Sequence, residues 1–204
     1  MIPQQREWSA EDFVAGALCL ELTNTVGDHS KAREVERLTD WDALVEWAVA
    51  AKVLRGTEGQ ELRKVGGRDP SGAQRALQTL LKFREALFRV ISALAADLVP
   101  VQDDFDRVEV TILSAVRCAH LVRRGEGFEW SIGSLDAPLN LPLFRLALSA
   151  LDLLQGQELK DVRECLRCSW LFIDRSRSHG RRWCRADACG NRERVARHYH
   201  ARAR

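Results

Sequence analysis

Apolar positions recur at helical spacing along most of this chain, and glycine, proline and charge mark the breaks between runs. Ser9-Ala-Glu-Asp12 has the form of an N-cap with an acidic first turn, and Phe13, Val14, Ala17, Leu18 and Leu22 follow. The pattern predicts an amphipathic helix over 10–26 that ends at Gly27, with the charged residues 28–38 as a loop or short helix. Thr39 stands where it would cap the next helix, whose stripe is Trp41, Leu44, Val45, Ala48 and Val53, with Trp47 beside it. Gly56, Gly59, Gly66 and Gly67 predict a broken stretch over 55–70 with one short helix around 58–65. From Pro70 the longest predicted helix runs over about 71–98, burying Leu77, Leu80, Leu81, Ala86, Leu87, Val90, Ile91 and Leu94.

Pro100 stops that helix, and 103–119 reads as another with Phe105, Val108, Ile112, Leu113 and Val116 inward. Gly125-Glu-Gly127 lies between two strand-like runs and predicts a β-hairpin. Beyond Pro138 and Pro142, the apolar run 143–154 predicts the central helix of the core. Gln155-Gly-Gln marks a boundary, giving a helical domain over 1–157 and a small module over 158–204. The fold class expected is mainly α: a helical N-terminal domain with a small β-hairpin, then a ββα module. In that module Ser169–Asp174 is one strand, Arg181–Cys184 its return strand, and 189–202 a helix.

Cysteine spacing changes the picture most. Cys165 and Cys168 form a C-x₂-C pair, and Cys184 and Cys189 a C-x₄-C pair fifteen residues further on. Two close pairs of this kind supply the four thiolates of a tetrahedral structural Zn²⁺, and the wider pair suits a turn entering a helix, as in treble-clef or zinc-ribbon modules. Four thiolates leave no open coordination position, so a structural site is expected rather than a catalytic one. His179, His198 and His200 are the alternative ligands, and face solvent or phosphate if the cysteines suffice. Trp170, Phe172 and Trp183 make a core too small to fold without metal. Cys19 and Cys118 sit in apolar helical patterns and read as buried hydrophobes.

Charge is divided unevenly. Residues 163–204 hold twelve arginines, no lysine and four acids, a net +8, so the first 162 residues carry −6 of the chain's +2. A basic module on an acidic body suggests a polyanion partner, and mutual attraction of the two parts is the plain alternative. Arg194 and Arg197 share a helical face, with Arg204 near it, and Arg175, Arg177, Arg181 and Arg182 cluster around the predicted hairpin tip. These six residues, 175, 177, 181, 182, 194 and 197, are the candidate nucleic-acid contacts, because guanidinium forks match phosphate and guanine. Arg192 reads instead as a strut pairing with Asp174. Asn24 and Thr25 read as a cap or a buried side-chain-to-backbone bond, with a polar contact in a small-molecule pocket of the helical body as the alternative.

At 46% hydrophobic and 29% charged, the 204 residues have an ordinary globular composition. No apolar run nears the roughly 20 residues of a membrane span, and residues 1–6 lack the order of a signal peptide, so a cytoplasmic protein without membrane contact is expected. GxxxxGK, GxGxxG, HExxH and GxSxG are all absent, and no paired carboxylate or nucleophile–base set stands out, so no enzyme is expected.

Cys189-Gly190-Asn191-Arg192 is the signature of the CGNR zinc-finger family, and Trp170-Leu-Phe-Ile-Asp174, Ser176-Arg177 and Arg182-Trp183-Cys184 are similar to its lead-in. Arg185-Ala186-Asp187 departs from the serine and methionine common there. The body resembles the stress-induced transcription regulator domain that precedes this finger, at Leu18–Thr25 and in the tryptophan helix Trp41–Trp47. The resemblance implies a bacterial DNA-binding regulator with structural Zn²⁺ at Cys165, Cys168, Cys184 and Cys189. Its helical domain would bind a small-molecule effector or mediate association as a homodimer. An RNA-binding protein and a protein-interaction module are the alternatives.

Overall fold

The structure, a computed structural model, describes residues 8–27, 31–133 and 138–202, with side chains to residue 199. The reading of residues 1–6, part of the 28–38 loop, and the side chains of His200 and Arg204 lie outside the described residues. The chain is mainly helical with two small antiparallel hairpins. The helices are α1 (Leu18–Thr23), α2 (Trp41–Ala50), α3 (Gly56–Arg68), α4 (Pro70–Ala95), α5 (Gln102–Arg117), α6 (Leu141–Gln155) and α7 (Asn191–Arg202). The strands are β1 (His120–Arg124), β2 (Gly127–Ser131), β3 (Val162–Glu164) and β4 (Leu171–Ile173). No described helix is long and apolar enough to cross a membrane.

The long helices form where periodicity placed them. Asp69 caps α4 through its side chain to the Gly72 N–H at 2.8 Å, and Pro70 sits in the first turn, where its missing N–H costs nothing. Leu77, Leu80, Phe83, Leu87, Val90 and Ile91 turn one face of α4 into the core. α5 packs against α4 and α6, and α1 lies across α4 and α6. The β1–β2 hairpin has the predicted turn, with Arg124 opposite Gly127.

Several expectations fail for identifiable reasons. α3 is a continuous helix over 56–68, because Gly66 is there for close packing: a Cβ on it would stand 2.5 Å from Trp41 Cδ1. Asp40, not Thr39, caps α2 by accepting the Ala43 N–H at 2.8 Å. Trp47 is fully buried, since α2 is packed against both α3 and α4. Phe105 and Leu113 are 41% and 49% exposed, because α5 buries only the narrower stripe of Val108, Ile112 and Ala115. Cys118, past the end of α5, is exposed, whereas Cys19 is buried and desolvation pushes its thiol up to about 12.

The predicted 10–26 helix is split. A single 3₁₀ turn spans Ala10–Asp12, residues 13–17 form an irregular strap, and only Leu18–Thr23 is α-helical. Gly16 has φ +89°, a left-handed conformation that breaks the helix. The strap is held from both sides: Ala15 C=O accepts the Ile173 N–H at 2.8 Å, and Glu21 Oε1 accepts the Ala15 N–H at 2.8 Å.

The cysteine module is built onto this core. Val162, Leu171 and Ile173 are buried with the helical residues, and β3 packs on α4. Asn24, 2% exposed, donates from Nδ2 to Leu171 C=O and accepts the Leu171 N–H at Oδ1, each at 2.9 Å. Its amide thus acts as a short strand partner, the buried side-chain-to-backbone bond expected of it. Trp170 Nε1 donates to Val26 C=O at 2.9 Å. Lys31 and Ser92 both hydrogen-bond Glu164, and Lys31 also reaches Cys165 C=O at 2.6 Å. Arg33 pairs with Glu85 and donates to Thr23 C=O, over the Phe88 ring. The buried Arg84 donates to both carboxylate oxygens of Glu36 and to the Thr25 hydroxyl.

Candidate functional site

β3 and β4 pair antiparallel, with Val162 opposite Ile173 and Glu164 opposite Leu171, so the Cys165–Cys168 pair is the turn of this hairpin. Cys165 N–H closes the turn on Trp170 C=O at 2.9 Å. The predicted return strand Arg181–Cys184 does not form. One edge of β4 is taken by β3 and the other by Asn24 and Ala15, so no edge remains for it. Residues 181–184 instead run as coil, held where Leu166 N–H donates to Arg182 C=O at 3.1 Å. A π-type turn over Ala186–Gly190, with Gly190 N–H donating to Arg185 C=O at 3.0 Å, carries Cys189 into α7.

These elements bring all four cysteines together, buried, with their sulfurs within 4.8 Å of one another. Cys168 and Cys184 sulfurs are 3.7 Å apart, Cys184 and Cys189 3.6 Å, and Cys189 and Cys168 3.7 Å. A tetrahedron with Zn–S bonds of about 2.3 Å has edges of about 3.8 Å, so the triangle of Cys168, Cys184 and Cys189 matches one face of it and Cys165 lies close enough to be the fourth ligand. Hydrogen bonds from Cys168, Cys184 and Cys189 hold the Cys165 thiol far below its ordinary value, and the same closeness to Cys165 drives Cys184 far above it. Four thiols this close cannot all ionise unless a cation sits among them. Cys165, Cys168, Cys184 and Cys189 therefore hold structural Zn²⁺. His179 lies elsewhere, with Nδ1 3.2 Å from Asp161, and His198 stands edge-on to Tyr199.

Asp174 organises the turn after β4. Its oxygens accept the N–H groups of Ser176 at 3.0 Å and Arg181 at 2.8 Å, and the nearby Ser176 side chain, followed by these two amides, holds its carboxyl down at about 2. Arg192 is half-buried in the first turn of α7.

The six candidate arginines differ in what they already touch. Arg175 makes a two-bond pair with Glu158 at 2.7 and 3.0 Å and reaches Gly16 C=O. Arg181 lies over the Phe172 ring at 4.3 Å and donates to the carbonyls of Trp183 and Cys184. Arg177 and Arg182 are exposed and form no ion pair among the described residues. Among the described residues Arg194 reaches Ala186 C=O, at 3.5 Å, and Arg197 stands 4.0 Å from Glu193. Of the six, Arg177, Arg182, Arg194 and Arg197 are thus the least engaged among the described residues.

The sequence reading missed Glu21. An acid between Leu20 and Leu22 in an apolar run was the available signal. The helical body also has two open clefts, one of about 930 Å³ beside Trp130, Arg145 and Asp152 and one of about 620 Å³ beside Trp8 and Glu21.

No curated protein matches the chain. Two family models do match: residues 162–202 match the CGNR zinc finger, and residues 16–157 match ABATE, described as a putative stress-induced transcription regulator. With its four-sulfur centre closing a helical body, the chain belongs to the ABATE family and ends in a CGNR zinc finger.

Proposed function

We propose that this chain is a DNA-binding transcriptional regulator whose zinc module sets α7 and the 177–182 turn against a phosphate backbone. One observation carries the reading: in a module rich in arginine, Arg177, Arg182, Arg194 and Arg197 remain exposed and weakly engaged, while Arg175 and Arg181 are committed to internal contacts. Zinc supplies no chemistry beyond fixing the two segments that carry those cations. The family's description supports a role in a stress response. Four reduced thiols as ligands suit a reducing compartment, which supports a cytoplasmic site of action. A protein-docking role has one observation behind it: Leu166, Val195 and Tyr199 are exposed apolar side chains on the same module.

The test is capture of fragments from sheared genomic DNA by the zinc-loaded protein, in parallel with total RNA, at physiological salt. A discrete DNA sequence should be enriched, and its affinity should fall with salt at a log–log slope of about −3 to −4 for four phosphate contacts. Arg194→Ala with Arg197→Ala should flatten that slope by about 2 without releasing zinc. Enrichment of RNA alone transfers the reading to RNA. Retention of neither overturns it and leaves the docking role.

A further inference from the structure

One exposed stripe of α5 is complementary to its own reverse. Asp106, Val110, Leu113 and Arg117 are spaced four, three and four residues apart, so they line up along one face of the helix. That face lies opposite the one packed on α4 and α6, where Val108, Ile112 and Ala115 are buried. Val110 is 61% exposed and Leu113 49%, and both charged residues are exposed. Asp106 accepts from Gln102 Nε2 of its own helix at 2.6 Å, and Arg117 forms no ion pair among the described residues.

Two-fold contacts require this kind of self-complementarity, because a residue that meets another across the axis must be met by it in turn. A stable dimer buries about 800 Å² on each partner, and α5, about 24 Å long and 10 Å across, covers only part of that. The remainder is available at its two ends. Leu98, Val99 and Val101 are exposed in the segment before α5. Leu121, Phe128 and Trp130 are exposed on one face of the β1–β2 hairpin after it, with Leu121 opposite Trp130. Apolar side chains exposed together in this way mark an interaction surface.

We propose that two copies of this chain pair antiparallel through α5, about a two-fold axis that passes between Val110 and Leu113. Val110 of each copy packs on Leu113 of the other, and Asp106 of each meets Arg117 of the other. Glu109, beside the stripe, comes opposite Ser114 and not another acid. The same arrangement lays the hairpin of each copy beside the 98–101 segment of the other, so the two exposed apolar sets cover one another. The dimer stands independently of whether the zinc module contacts nucleic acid.

The experiment is sedimentation velocity on the full-length, zinc-loaded protein at concentrations up to about 100 μM. The parent should be dimeric at the upper end, and a monomer throughout overturns the proposal. Asp106→Arg and Arg117→Asp each place two like-charge pairs across the axis, so each alone should weaken the dimer about tenfold. Mixed in equal amounts, these two single variants should form a heterodimer about as tight as the parent, because every arginine then meets an aspartate. The chain carrying both exchanges should pair with itself equally well. Recovery in the mixture also shows that neither single variant has lost its fold. Leu113→Asp, which sets a charge against Val110 of the other copy, should weaken the dimer about tenfold with no recovery in any mixture. Failure of both the mixture and the double exchange to recover overturns the antiparallel register. A dimer indifferent to all of these substitutions overturns the surface.

Discussion

Replacing Asn24 by alanine isolates the contact that locks the cysteine module to the helical body. The side chain satisfies both the N–H and the C=O of Leu171, each at 2.9 Å, in a place shielded from water. Alanine leaves both backbone groups without a partner, and an unsatisfied buried group costs about 1–3 kcal/mol. The expected loss is therefore about 2–5 kcal/mol, at the lower end if water enters the vacated space. Asn24→Asp sharpens the test. It keeps an acceptor for the Leu171 N–H but turns a carboxylate oxygen toward the Leu171 C=O, so it should destabilise more than alanine. The assay is urea denaturation followed by far-ultraviolet circular dichroism at fixed free zinc, with the exposed Gln78→Ala as a control for substitution itself. An Asn24→Ala variant within about 0.5 kcal/mol of the parent, the range of neutral surface changes, would refute the argument, as would an Asn24→Asp variant of parental stability.

Three further tests bear on separate features. Removing zinc with a chelator, or weakening its site with Cys168→Ser, should cost no more ellipticity than the twelve residues of α7 while shifting tryptophan emission, since Trp170 and Trp183 pack on the sulfur cluster; collapse of the whole helical signal would sink this prediction. Gly66→Ala should destabilise by about 1–3 kcal/mol by driving a Cβ into Trp41, whereas Gly67→Ala, with open space around it, should stabilise by up to about 1 kcal/mol through helix propensity. Glu21 has a native pKa of about 7 against 4.5 ordinarily, so the native state binds its proton more tightly than the unfolded chain, and the stability it contributes is complete below 4.5 and lost as pH rises through 7. Between pH 6 and 8.5 the parent should lose about 1.4 kcal/mol relative to Glu21→Gln, and parallel stability profiles in urea would show that Glu21 does not titrate there.

What the sequence made legible was local. The four cysteines fall within one short segment and their chemistry tolerates few alternatives, so spacing alone located the metal centre. The helices α4 and α6 carry long apolar stripes with proline at their starts, and both formed within a few residues of expectation. What it hid depends on partners far along the chain. Residues 13–17 have the composition of a helix, but the N–H of Ile173 and the carboxylate of Glu21 compete for their backbone, and Gly16 lets the competition succeed. Likewise β3 was missed because Val162-Arg-Glu164 carries one apolar residue in three, while Arg181-Arg-Trp-Cys184 looked no worse as a strand. Only the occupied far edge of β4 excludes the second choice. Of the six candidate arginines, sequence could cluster them but not distinguish Arg175, which has Glu158 within reach, from Arg177, which has no acid paired to it among the described residues.

These contacts assign zinc a narrower task than folding the whole module. Val162, Leu171 and Ile173 are buried in the helical core, and Asn24, Ala15 and Trp170 fix β4 to the N-terminal strap without help from a metal. The rest has less apolar support: the 177–182 turn is mostly exposed and tied by polar contacts such as Arg181 N–H to Asp174 and Leu166 N–H to Arg182 C=O, and α7 has few apolar residues facing inward. A helix of twelve residues with so little packing is marginal in water by itself. Cys184 and Cys189 are the points at which that remainder is tied down, through the ion they share with Cys165 and Cys168. Trp170 joins the two systems, since its ring packs beside the sulfurs while its Nε1 bonds Val26 of the body. The strap and residues 24–26 thus meet the metal centre through Trp170 and β4, whereas the basic turn and α7 depend on the ion more than the helical body does.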